Sequence, residues 1–378
     1  MRLLVIDMFT KRRDGPDAIG GAELCAIEVA KAVGGSLMTP EVDADEIEGV
    51  PLVKSRAGLR RSGAGRDWAD TLVREVRSVA ADFDCVFVNS SSAQQTNAAR
   101  RIAEYGIPVV NYVHNGFMLY SFPTFSCVRA LVSASAAGVI NATPTRWNSD
   151  QMLKMAQKKH DQIGAVPPDT FKSFFMPVSL DYVPEPAREY SKNRVFAMTR
   201  HDEGKKPRNL AKQLVALRAA GFEAECHLLT SGSDPDALRA DIAMMEDAGV
   251  TVRCDLPQSV SLRAAEGATL SITTSRYENV AVCQHEMAAM GIPTIWTTYG
   301  DEFVFVETLQ PVGMGVGVDN DPEAVVEAAR KFSSMPIADR ISGAIEIRRL
   351  FSKESFVEGI VRSVEMAISS RKSGGLDW

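Results

Sequence analysis

The chain has 378 residues, 45% hydrophobic and 24% charged, with a formal net charge of -6. That length suits two domains, each large enough for its own core. The acidic balance argues against whole-surface attraction to nucleic acid or an anionic membrane and leaves only local basic patches; no apolar run reaches the roughly 18 residues that mark a membrane span.

Residues 2–9, RLLVIDMF, form the short apolar run that a central parallel strand needs. A loop, TKRRDGPDAIGGAE, leads to LCAIEVAKAVG, which has helical spacing and a glycine stop at Gly34. Strand, glycine-bearing loop and helix open a doubly wound α/β domain. The alternation continues with SLMTP (strand), DWADTLVREVRSVAAD (helix), DCVFVNS (strand), AQQTNAARRIAEYG (helix), IPVVNYVHNG (strand), SCVRALVSASAAG (helix) and VINATPT (strand). NSDQMLKMAQKKH is a helix with Asn148 or Ser149 as its cap. A proline-rich stretch, 164–194, marks a domain boundary. The second half repeats the plan: RVFAMTR, AECHLLTSG, VTVRCDL, TLSITTS and TIWTTYG as strands, with RNLAKQLVALRAAG, DALRADIAMMEDAG, SVSLRAAEGA and EAVVEAARKFSS as helices. A long amphipathic helix, ESFVEGIVRSVEMAISSRK, comes last. None of the six cysteines forms a CxxC pair, and the chain starts on a strand without a basic leader, so a reducing, cytoplasmic setting is expected.

Ligands of such sheets bind beyond the carboxyl ends of the strands. Gly20-Gly21 lets backbone amides approach an anion at a helix N-terminus, although the pair is not GxGxxG and a plain turn reads the same. His114 follows the strand VVNYV on the same rim. In the second half, RVFAMT runs into Arg200-His201-Asp202-Glu203-Gly204-Lys205-Lys206-Pro207. An arginine fork with one or two lysine point charges suits a diphosphate; a solvated turn is the alternative. The stretch Tyr277–Ile295, YENVAVCQHEMAAMGIPTI, reads as loop, short buried helix, Gly-Ile-Pro and strand, with Glu278 and Glu286 eight positions apart. Glu286 suits the two hydroxyls of a ribose. Glu278 lies toward the phosphate end, where it holds sugar hydroxyls or an incipient charge. Backbone amides of Asn279, Val280 and Ala281 meet phosphates at the helix N-terminus. The pairs Asp43/Asp45 and Asp234/Asp236 resemble metal-binding spacings but sit in turn-like loops, so they read as turns or caps and no metal site is expected. His227 reads as a core histidine, and His285 should point away from Glu286.

Gly20-Gly21-Ala22-Glu23, His114, Arg200 with Lys205 and Lys206, and Glu278-x7-Glu286 followed by AMGIPTI resemble the retaining GT-B glycosyltransferases of glycosyltransferase family 4. The resemblance spans nearly the whole chain. YGDEFV at 299–304 is similar to the family's Gly-Gly-x-x-Glu segment, and FSKESFVEGIVRSVE to its closing helix. The family implies an α/β GT-B fold of two facing Rossmann-like domains with parallel sheets. Residues 1–185 would shape the acceptor site, 186–355 would bind the nucleotide-sugar donor, and 356–378 would cross back to the first domain. By motif, Arg200 and Lys206 or Lys205 would neutralise the diphosphate, Glu286 would bind the ribose and Glu278 the donor sugar. His114 would lie near the anomeric carbon, and Gly20, Gly21 and Glu23 in the phosphate and acceptor loop. The implied donor is a UDP- or GDP-sugar, UDP favoured, with no metal or other cofactor required. Configuration would be retained, the leaving diphosphate helping to deprotonate the acceptor. The chain departs from the family at Thr199 and Pro207, where glycine is common, and in Asn-Val-Ala-Val after Glu278 in place of Gly-Phe-Gly.

The acceptor is less legible, and a saccharide or glycan is the first expectation. Lys11, Arg12, Arg13, the loop from Lys54 to Arg66 with Arg60 and Arg61, and Lys154, Lys158 and Lys159 read either as scattered charges or as a basic wall. Such a wall would suit a phosphate-rich glycan, peripheral contact with a membrane, or DNA carrying a hydroxymethylated base. Sparse aromatics in the basic loop do not support stacking readout of single strands. Two other classes share the plan: a nucleotide-sugar epimerase and a non-catalytic nucleotide-sugar binder.

Overall fold

The structure, a computed structural model, describes residues 1–7, 21–39, 44–54, 67–90, 92–113, 125–158, 171–173, 180–276, 278, 280–299 and 304–373. They fall into two compact units: Met1–Val178 with Lys353–Trp378, and Ser179–Ser352.

In the first unit the strands are β1 (Leu3–Asp7), β2 (Ser36–Met38), β3 (Glu46–Ile47), β4 (Val50–Pro51), β5 (Cys85–Ser90), β6 (Val109–Val113), β7 (Ile140–Thr143) and β8 (Phe171–Ser173). β3 and β4 make a small antiparallel pair, and the rest form a parallel sheet in the order β2-β1-β5-β6-β7-β8. Every residue of β1 is buried because helices cover both faces. The strand period of two divides its side chains between two cores. Leu3 and Val5 join Phe87, Tyr112, the helix Gly21–Val33 and the closing helix Lys353–Ser373, which inserts Phe356, Ile360, Val364 and Ala367. Leu4 and Ile6 join Val86, Val88 and two helices, Asp67–Val79 and Ala93–Glu104. The helix Arg146–Gln157 begins earlier than expected. Its cap is Thr145, whose hydroxyl accepts from Asn148 N, and not Asn148 or Ser149. The threonine is extended at its backbone and so leaves the hydroxyl free to turn back on the first turn.

The second unit is also a parallel sheet: β9 (Arg194–Arg200), β10 (Glu223–Leu229), β11 (Thr251–Cys254), β12 (Leu270–Thr273), β13 (Thr294–Thr298) and β14 (Gly315–Asp319), in the order β11-β10-β9-β12-β13-β14. Between the strands lie the helices Pro207–Ala219, Pro235–Asp247, Gln258–Ala265 and Val282–Ala289, followed by Pro322–Ser333. A further helix, Ile337–Leu350, does not follow from apolar periodicity. Its inner face holds Arg340, 2% exposed, whose guanidinium donates to the carbonyls of Thr269, Gly291 and Phe332 and stands over the Tyr190 ring. Ile337, Ile341 and Ile345 face outward instead. The amphipathic pattern is therefore inverted at the positions that usually reveal a surface helix.

Candidate functional site

Within the second unit, the residues from 284 to 297 are all buried, so the helix Val282–Ala289, its turn and β13 form one unbroken piece of core. The helix starts at Ala281, a left-handed residue (φ 52°, ψ 60°) whose carbonyl accepts from Gln284 N and His285 N. The turn beyond its C-cap Met290 passes through Gly291 (φ 75°), where an added Cβ would collide with the Tyr190 hydroxyl. That hydroxyl donates to Met290 O at 2.8 Å and holds the turn.

Glu286 sits on this helix with no exposed surface. The Tyr182 hydroxyl and the Gln258 amide both donate to its Oε1. Its Oε2 is buried and has no hydrogen-bond partner among the described residues. Burial pushes the carboxyl up to about 7, against the lowering effect of the two donors. An unsatisfied buried polar atom costs roughly 1–3 kcal/mol, so a hydroxyl donor brought by a ligand has a strong reason to bind there. His285 does point elsewhere. Its Nδ1 faces Ala281 O at 3.1 Å, its Nε2 faces the Thr308 hydroxyl at 2.8 Å, and its ring packs on Phe351. Burial pulls it down to about 4, so it is neutral at pH 7.

Glu278 is reached from the other side of the sheet order, through the loop after β9. Asp202 caps the turn Glu203–Lys205 by accepting from Lys205 N at 3.1 Å. Lys206 is left-handed (φ 51°, ψ 54°) and hands over to Pro207 at the first position of the next helix. This loop is stitched to the one after β12: Thr274 Oγ1 donates toward the carbonyls of Lys205 and Lys206, and Arg276 N donates to Gly204 O at 2.9 Å. The stitching delivers Lys205 Nζ to Glu278 Oε1 as an ion pair, 24% and 12% exposed. Lys206 goes another way, 3.8 Å from Glu203, and Arg200 is largely exposed with Asp202 3.8 Å away. β9 and β12 are neighbours, and the strand order reverses between them. Such a switch point opens a crevice beyond the strand ends.

Sequence reading missed Tyr182 and Gln258, which only tertiary contact joins to Glu286. It also missed a buried support under the β9 loop, where His201 Nε2 lies 3.2 Å and Arg208 2.9 Å from the Asp241 carboxylate. His227 is a core residue between Ser261 and Glu225. Asp234 caps the helix Pro235–Asp247, accepting from Asp236 N and Ala237 N. Asp45 pairs with Lys54. Among the described residues no three His, Cys, Asp or Glu side chains group as metal ligands.

In the first unit, Gly21 and Glu23 lie in the first turn of the helix Gly21–Val33. Gly20, His114, Lys11, Arg12, Arg13, Arg60 and Arg61, with Asn279 of the second unit, lie outside the described residues. Lys154 and Lys158 are exposed on or just after the helix Arg146–Gln157. At the end of β1, Asp7 is fully buried and accepts from Asn89 Nδ2 at 3.1 Å. Asn111 donates to Asn141, which in turn donates to Leu131 O, so a row of buried amides crosses this sheet.

No family model and no curated protein sequence matches this chain. Solved structures do. HepE from Anabaena, in complex with UDP and glucose, superposes with a TM-score of 0.72 at 14% identity, covering 97% of this chain and 99% of that one. For sucrose-phosphate synthase from Thermosynechococcus elongatus the TM-score is 0.65 at 15% identity, covering 96% and 97%. For the trehalose-6-phosphate synthase OtsA it is 0.66 at 13% identity, covering 98% and 99%. These are GT-B glycosyltransferases, and this chain shares their fold over nearly its whole length. No helix among the described residues is long and apolar enough to cross a membrane.

Proposed function

We propose that the protein is a retaining, metal-independent glycosyltransferase that moves a sugar from a nucleotide-diphosphate sugar, UDP favoured, to a hydroxyl of a saccharide or glycan. The observation that carries this reading is the Lys205–Glu278 pair at the β9/β12 switch point, with Glu286 on the helix that follows. Uridine fits the neighbours, since HepE is described in complexes with UDP and with UDP-glucose.

In this reading Arg200 and Lys205 take the diphosphate. Two cations there offset the charge that grows on the leaving group as the glycosidic bond breaks. The N-terminus of the helix Val282–Ala289, with the backbone amides of Asn279, Val280 and Ala281 that precede it in sequence, adds amide dipoles to the same charge. Glu286 receives a ribose hydroxyl. Glu278, oriented by Lys205, faces the donor sugar. The acceptor oxygen bonds to the anomeric carbon on the face that the diphosphate leaves, and its proton passes to a departing phosphate oxygen. His114, Gly20 and the first turn of the helix Gly21–Val33, with Gly21 and Glu23, serve the acceptor side.

Calorimetry with UDP, GDP and ADP, followed by transfer assays with the matching sugar nucleotides, tests the reading. UDP should bind, and Lys205→Ala should weaken it by about 10–100-fold, the worth of a charge-assisted contact. Lys206→Ala should cost under about threefold, as for a surface pair. Product stereochemistry by NMR checks retention. A wild-type protein that binds none of the three nucleotides rejects the proposal.

A further inference from the structure

Glu286 has two oxygens in opposite states. Oε1 is filled twice, by the Tyr182 hydroxyl and the Gln258 amide, while Oε2 is buried with no partner among the described residues. Tyr182 comes from the segment before β9 and Gln258 from the first position of the helix Gln258–Ala265, so two separate elements converge on one atom. Gln258 Nε2 also lies 3.4 Å from the Tyr182 oxygen, which ties the two donors together. A carboxylate held only by packing can rotate and share both oxygens with a ligand. Here two donors fix the plane of the group and spend one oxygen completely.

We propose that Tyr182 and Gln258 are positioning residues that saturate Oε1 of Glu286, so that Oε2 alone receives a hydroxyl of the ligand and selects a ribonucleotide over its deoxy counterpart. The inference rests on the donor-site reading of Glu286 given above. It has a consequence for pH. When Glu286 is protonated, the proton sits on Oε2, because Oε1 already holds two donors; the acceptor then becomes a donor and no longer suits a ribose hydroxyl. Affinity should therefore rise with pH through about 7, the value to which burial lifts this carboxyl.

Few other groups interfere. Cys283, one turn earlier on the same helix, is pushed up to about 12 and stays neutral. Glu278 and Lys205 are paired with each other. The helix Ile337–Leu350 packs against this one and brings Arg340 and Arg348. Arg340 is held by the carbonyls of Thr269 and Gly291, and Arg348 by those of Ala289 and Val183 and by Glu185. β12 and β13 carry no titratable side chain.

The test is calorimetric binding of UDP and 2′- and 3′-deoxy-UDP from pH 5.5 to 8.5, in wild type, Tyr182→Phe, Gln258→Met and Glu286→Gln. Wild type should prefer UDP over at least one deoxy form by about tenfold or more, as expected when a charged acceptor loses its donor. Glu286→Gln supplies the pH response of the nucleotide's own phosphate, near 6. Relative to that reference, wild type should gain affinity through about pH 7. Either positioning variant should move this midpoint upward and shrink the ribose preference, because a donor that lowers the carboxyl has gone. A merely structural role would move neither. If wild type binds UDP but both variants keep its midpoint and its ribose preference, the inference fails while the donor reading stands. If wild type binds no nucleoside diphosphate, both fail.

Discussion

The two sheets differ at one point, and the difference bears on the donor site proposed for the second. Numbered in chain order within each sheet, the first runs 2-1-3-4-5-6 and the second 3-2-1-4-5-6. Both are doubly wound orders with a reversal beside the first strand. In the first sheet that reversal lies between β1 and β5, where Asp7 and Asn89 hold each other in the interior. In the second it lies between β9 and β12, where Arg200 is exposed and Lys205 pairs with the largely covered Glu278. The same backbone device thus presents a buried acid in one unit and, in the other, an exposed arginine beside a lysine–glutamate pair. At the second, Arg200 and Lys205 are the cations that the proposed diphosphate would meet.

The sharpest way to break this contrast is to alter each switch point in turn. Glu278→Ala should lower kcat by about 10²–10³-fold, the scale of removing one group that stabilises transition-state charge. UDP affinity should change only a few-fold, because Arg200 and a newly freed Lys205 still meet the diphosphate. Asp7→Asn in the first unit should leave UDP affinity unchanged. Steady-state kinetics beside calorimetry checks both. Full activity in Glu278→Ala would remove the acid from the mechanism, and a large change of UDP affinity in Asp7→Asn would mean that the nucleotide meets the first sheet.

What could be read from sequence divides along the same line. The strands of both sheets announce themselves as apolar runs bounded by turn residues, and the two-sheet plan follows. Arg200, Lys205, Glu278 and Glu286 were visible because charge at a strand end or inside an apolar stretch violates local expectation. That Lys205 and not Lys206 pairs with Glu278 was not. Both are lysines in one turn, and only the left-handed backbone at Lys206 and the stitching by Thr274 send them apart. Tyr182 and Gln258 were silent, since each looks like an ordinary residue in a linker or at a helix start. The helix Ile337–Leu350 was illegible for a different reason: its buried arginine and exposed isoleucines reverse the pattern from which helices are read.

The second contrast lies within one helix, where Glu286 and His285 are neighbours with opposite linkage to stability. Burial raises Glu286 from an ordinary 4.5 to about 7. As pH rises from about 4.5 to 7 the unfolded chain releases this proton first, so folded stability falls, on the order of 3 kcal/mol in all. Burial lowers His285 from 6.5 to about 4. As pH falls from about 6.5 to 4 the unfolded chain takes up this proton first, so stability falls in the acid direction by a similar amount. Between about pH 4.5 and 6.5 the two slopes oppose each other and nearly cancel. Glu286→Gln should expose the histidine slope. The variant should be more stable than wild type at pH 8 by up to about 3 kcal/mol, and should lose that lead on acidification toward pH 5. Denaturant unfolding at several pH values measures it. A variant whose advantage is the same at pH 5 and pH 8 would show that Glu286 does not titrate in this range.

The smallest expected effect concerns the backbone at the start of that helix. Ala281 is left-handed (φ 52°) and 8% exposed, at a position where a residue with a Cβ pays about 1–2 kcal/mol. Glycine would adopt the conformation freely, at the cost of a more flexible unfolded chain. Its carbonyl accepts from Gln284 N, His285 N and the His285 ring, so the surroundings hold the strained geometry in place. Ala281→Gly should therefore stabilise the protein by about 0.5–1 kcal/mol, seen as a rise of roughly 1–3 °C in Tm. The activity of that variant sharpens the comparison of the two switch points. If UDP affinity is unchanged, the alanine only shapes the turn. If affinity falls while stability rises, its methyl group fixes the amides of the Val282–Ala289 N-terminus against the diphosphate, and the strain is part of the site. A loss of stability would mean that the methyl group's packing at this buried position outweighs the strain, and that the left-handed backbone costs little here.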